Sequence, residues 1–82
     1  MSKFPIVDAD TIIRFLKYLG FVEIRQNGSH KFFKHFDERS ATVPYHKGED
    51  IGRGLLLKIL KDIEIDKETF IEWLTNKLWV ES

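Results

Sequence analysis

The chain of 82 residues sets 13 lysines and arginines against 13 aspartates and glutamates, with 43% hydrophobic residues and no cysteine. Such a length fits one small domain that buries only about 60–65% of its unfolded surface, and the balance is that of a folded chain rather than a disordered one. The lack of thiols excludes a disulfide scaffold and thiolate metal sites and points to the cytoplasm, while no apolar run approaches membrane-spanning length and residues 1–5 carry no apolar leader region.

Asp8 is placed to cap a helix over about residues 9–19, in which Ile12, Ile13, Leu16 and Leu19 recur at helical spacing. Gly20 fits the left-handed position just past its end. A strand follows over about residues 21–26, where Val22 and Ile24 alternate with Glu23 and Arg25. Asn27-Gly28 reads as a two-residue hairpin turn, leading to a second strand over about residues 29–36. Asp37-Glu38-Arg39 reads as a second reverse turn. Residues 40–43 then make a third strand, ended by Pro44, which cannot donate to a sheet ladder.

Residues 45–50 read as a loop. A second helix begins near Gly52-Arg53-Gly54 and runs to about Asp62, with Leu56, Ile59, Leu60 and Ile63 on one side. Asp66 caps a third helix, over about residues 66–79, with Phe70, Trp73, Leu74 and Leu78 as its apolar face. The expected class is therefore α+β. An α-β-β-β-α unit with a three-stranded antiparallel sheet and helices on one face has the layout of double-stranded-RNA-binding domains, here with an additional C-terminal helix. One domain over residues 1–82 is expected, with its core at about 8–63.

Net charge is zero, which weighs mildly against a nucleic-acid partner, yet residues 1–53 hold a net charge of +2 and all three histidines. A metal site is not expected, because His30 and His35 are five apart and point to opposite faces of a regular strand, while His46 lies in a different loop. No hydrolase elbow, Walker or dinucleotide-binding glycine pattern is present, so no cofactor is expected either. What remains is one imidazole, His30, at a pinned hairpin end among cations. RNA carries its own nucleophile, the 2′-hydroxyl, so a single histidine that moves its proton and a cation that steadies the phosphate suffice. The cations beside His30 on this reading are Arg25, Lys31, Lys34, Lys47 and Arg53. Spacing alone reads His30 first as an ordinary polar turn residue, since isolated histidines are usually not catalytic. Phe32 and Phe36 are expected to share one sheet face and Phe33 to point to the other, so one set must be core and the other is free to stack on an unpaired base or to be covered by protein.

Gly28-Ser29-His30, His35-Phe36-Asp37-Glu38-Arg39, Thr42-Val43-Pro44-Tyr45-His46-Lys47-Gly48-Glu49 and residues 51–60, together with Leu19-Gly20-Phe21, resemble the HicA toxin family of type II toxin–antitoxin systems over about residues 8–74. The resemblance implies a double-stranded-RNA-binding-domain-like fold, ribosome-independent mRNA cleavage, and a HicB-type antitoxin that masks the active surface. The family's catalytic histidine falls on His30, and the expected site is then His30 as the catalytic residue with Ser29, Lys31, Lys47 and Arg53 as phosphate contacts. Two positions depart from the family pattern: Glu38 stands where a glycine is usual, and Leu55 where a threonine is common. The alternatives to a nuclease are a non-catalytic RNA-binding module and a protein-interaction domain of the same fold.

Overall fold

The computed structural model describes residues 6–81, with side chains to residue 76. The element order is β1 (Val7–Asp8), α1 (Ala9–Leu19), β2 (Val22–Asn27), β3 (His30–Lys34), β4 (Ser40–Pro44), β5 (Asp50–Ile51), α2 (Arg53–Asp62) and α3 (Lys67–Glu81). Strands β2-β3-β4 form an antiparallel meander, which bears out the expected α+β layout of three strands, covering helices and a C-terminal helix. A two-residue ladder between β1 and β5 was not foreseen, because two residues carry no readable alternation. It ties the start of α1 to the approach of α2.

The first helix forms where its caps place it. The Asp8 carboxylate accepts hydrogen bonds from the Thr11 N–H at 2.9 Å and the Thr11 hydroxyl at 2.7 Å, and these bonds hold its carboxyl below the usual aspartate range. At the other end Gly20 adopts φ +102°, and its N–H and that of Phe21 close back on the Lys17 and Leu16 carbonyls. The buried face of α1, Ile12, Ile13, Phe15 and Leu16, packs on Phe33, Ala41 and Val43 of the sheet and on Leu56, Ile59, Leu60 and Ile63 of α2 and its end. Phe70 and Trp73 of α3 close the assembly, each with its ring centroid 5.0 Å from that of Phe15. Trp73 therefore packs inward on α1. Leu78 and Trp79 lie outside the described side chains.

Three sequence expectations shift by a residue or two. The first hairpin turns on Gly28 and Ser29, not Asn27 and Gly28, because Asn27 still pairs with His30. Only Gly28 of these two has positive φ, +61°, which matches the turn type with glycine first. Strand β3 ends at Lys34, not at residue 36, and Phe36 stands 90% exposed in the next turn rather than sharing a strand face with Phe32. Pro44 belongs to β4, opposite His30, since β4 is an outer strand whose free side asks no N–H of it.

Residues 36–38 form a three-residue loop, closed by His35 N–H to the Arg39 carbonyl and Glu38 N–H to the His35 carbonyl, both at 2.9 Å. Its third residue must be left-handed, the position where glycine is favoured, and Glu38 adopts φ +83° there. Glu38→Gly is therefore expected to raise stability by about 0.5–1 kcal/mol in urea unfolding, with an unchanged or lower midpoint as the contrary result. At Gly20 a Cβ would stand 3.1 Å from His35 Nε2 in addition to meeting an unfavourable φ. Gly20→Ala is expected to cost about 2 kcal/mol or more in the same measurement.

Candidate functional site

Strand alternation distributes the residues of β3 between two faces. Phe33 is fully buried against the helices, and Lys31 shares its side of the strand. His30 and Phe32 point to the other side, opposite Pro44 and Thr42 of β4. His30 is exposed, and its hairpin end is held twice. The Ser29 carbonyl accepts from Tyr45 N–H at 2.6 Å, and the Gln26 side-chain amide donates to the Gly28 carbonyl at 2.9 Å.

From this position His30 lines a cleft of about 230 Å³ with Thr42 and Pro44 of β4 and with Leu55, Lys58, Ile59 and Asp62 of α2. The walls are apolar on the helix side at Leu55 and Ile59 and on the strand side at Pro44, while Thr42, Lys58 and Asp62 supply polar groups. A nucleoside has this mixture of flat apolar surface and polar edge. A second, wider groove of about 560 Å³ adjoins it, sharing Thr42 and Asp62 and carrying Asp37, Glu38 and Glu64. Arg39 lies among those carboxylates, but they outnumber it and make this groove a poor place for a phosphate.

The other expected site residues divide. Ser29 occupies the turn beside His30 and is half-buried. Lys47 sits with Gly48 in a turn closed by Glu49 N–H to the His46 carbonyl at 3.0 Å, three residues beyond Pro44. Arg53 is the first residue of α2, two before Leu55; both cations are exposed, and neither they nor Ser29 are among the residues lining the cleft. Lys31 is not brought to the cleft: its ammonium lies 3.7 Å from the Glu23 carboxylate and 4.7 Å from the centroid of the Tyr45 ring, on the helix side of the sheet. Adjacent strand residues point apart, which places Lys31 and His30 on opposite faces although they are neighbours in sequence. The Tyr45 hydroxyl in turn bonds to the Asp10 carboxylate, which pushes the tyrosine upward in pKa. Lys58 and Asp62 line the cleft but carry no signal in the sequence, because only the packing of α2 along β4 shows which helix face meets His30.

His35, the second histidine of this segment, has a structural role. It is 8% exposed, donates from Nε2 to the Leu19 carbonyl at 3.0 Å, sets Nδ1 3.2 Å from the Asp37 backbone nitrogen and 3.0 Å from the Asp37 carboxylate, and packs between Phe21 and Phe36. It joins the end of α1 to the second turn. Among the described residues no group of three histidines or carboxylates comes together as a metal site. Among those residues no helix is long and apolar enough to cross a membrane.

A comparison with curated proteins finds no match to the chain. A family model described as the HicA toxin of bacterial toxin–antitoxin systems matches residues 9–65, from the first residue of α1 to just beyond the end of α2. The match spans the β-meander, the His30 hairpin and both helices that cover the sheet, so the resemblance read from the sequence holds, and the chain belongs to the HicA toxin family.

Proposed function

We propose that this toxin acts by cleaving mRNA, with His30 as the residue that moves the proton, and that a HicB-type antitoxin neutralises it by covering the His30 cleft. The observation that carries the reading is the position of His30: an exposed imidazole on a hairpin end held by two hydrogen bonds, opening into a nucleoside-sized cleft. A catalytic base needs this combination of access and fixed placement.

His30 takes the proton of the 2′-hydroxyl, whose oxygen attacks the adjacent phosphorus. The O2′–P bond forms as the P–O5′ bond breaks, and the electron pair leaves with the 5′-oxygen, which takes up a proton from water in the open cleft. The products are a 2′,3′-cyclic phosphate and a 5′-hydroxyl, and no redox partner or cofactor is consumed. Ser29, Lys47 and Arg53 are the phosphate contacts on this reading. Lys31 joins them only by leaving Glu23 and Tyr45. The start of α2, with Gly52 as a cap that offers no side-chain hydrogen bond, adds partial positive charge one turn before Leu55, which lines the cleft. On this reading the protein acts in the cytoplasm, where mRNA and an antitoxin meet it.

Because His30 is exposed and pairs only through its backbone, His30→Ala is expected to abolish RNA cleavage and growth arrest while moving the thermal midpoint by less than about 2 °C. Full toxicity in that variant removes the proposal. The same purified protein is expected to leave a DNA strand of identical sequence intact, since the attacking hydroxyl is missing, and to keep its rate on RNA in the presence of a chelator. Cleavage of the DNA strand, or a rate abolished by the chelator, contradicts the mechanism.

A further inference from the structure

A general base alone leaves one part of the proposed reaction unserved. Deprotonation and attack place a second negative charge on the phosphate while the proton rests on His30. Lys31, the cation next to His30 in sequence, is on the wrong side of the sheet and already engaged. Among the described residues that line the cleft, Lys58 is the only lysine or arginine.

Leu55, Lys58, Ile59 and Asp62 stand at i, i+3, i+4 and i+7 of α2, so they form one stripe of the helix, and that stripe faces His30. The Lys58 ammonium lies 3.0 Å from the Asp62 carboxylate one turn onward. This tether keeps the ammonium on the cleft side of the helix. With side-chain exposures of 69% and 41%, the pair is weak and readily exchanges one carboxylate oxygen for a phosphate oxygen.

We propose that Lys58 is a second catalytic residue: it contacts the non-bridging oxygens of the scissile phosphate and stabilises the charge that builds as O2′ attacks. This rests on the mRNA-cleavage reading above. The sequence offers no pointer to it, because Lys58 is one of several helix lysines, and its neighbour Lys61, which is also exposed, is not among the residues lining the cleft.

The test is steady-state cleavage of a labelled single-stranded RNA by the full chain and by Lys58→Met, Lys58→Arg and Lys61→Met, with thermal unfolding of each. Lys58→Met is expected to lower kcat by about 10–100-fold, less than loss of a buried oxyanion donor because the site is open to water. Its KM stays within about threefold, as for a contact made mainly in the transition state. Lys58→Arg recovers most of the rate, Lys61→Met matches the parent chain, and all four unfold at similar temperatures. An unchanged kcat in Lys58→Met, a defect confined to KM, or an equal defect in Lys61→Met overturns the proposal while the parent chain's cleavage stands. If the parent chain cleaves no RNA at all, the nuclease reading falls and this proposal falls with it.

Discussion

The burial of Phe33 in the middle strand is the constraint on which the site depends. The sheet is covered on one face only, and a strand sends alternate side chains to opposite faces, so one fully buried residue sets the sense of every other. With Phe33 under the helices, Lys31 must face the same side and His30 the open one. A slip of one residue would turn His30 and Phe32 under the helices and carry Lys31 and Phe33 to the open side. The core thus decides which of two adjacent polar residues meets a substrate.

The open side becomes a cleft only because α2 runs along β4. Two devices at opposite ends of α2 place it there. Near its start, the β1–β5 ladder brings Asp50 and Ile51 alongside Val7 and Asp8, at the cap of α1. At its end, the Arg39 guanidinium donates to the Ile63 carbonyl at 2.6 Å while also holding Asp37 through Nε at 2.9 Å. Arg39 therefore joins the second turn of the sheet to the end of the helix, and its charge is spent on structure. The same arrangement sets the carboxylates of Asp37, Glu38 and Glu64 in the groove that adjoins the cleft at Thr42 and Asp62.

His30 and His35 show how differently one segment can use the same side chain. His35 fills both ring nitrogens with protein partners and stacks among phenyl rings, and a Cβ at Gly20 would stand only 3.1 Å from its Nε2. His30 has its backbone fixed and its ring in a cleft. Spacing places both near turns and cannot rank them. The turn at residues 36–38 has a similar lesson. A glutamate holds a left-handed position that glycine would occupy without strain, so the departure from the family pattern changes local energy and leaves the path of the chain intact.

What the sequence determined by itself are the features set by local chemistry. The cap at Asp8 and the stop at Gly20 bound α1 at the residues read for it, the stripe Leu56, Ile59, Leu60 and Ile63 is the buried side of α2, and the order of helix, meander and helices follows from periodicity. His30 was legible too, through the hairpin signal and the family resemblance. Tertiary structure alone decided which hairpin residues turn, that β2 keeps Val22 and Ile24 exposed beyond the reach of the helices, and that Lys31 faces away from His30. It also decided that Lys58, 28 positions onward, faces His30 across the cleft. These depend on which surfaces meet when a one-sided sheet is covered, and no pattern within a single segment records the face that its neighbour presents.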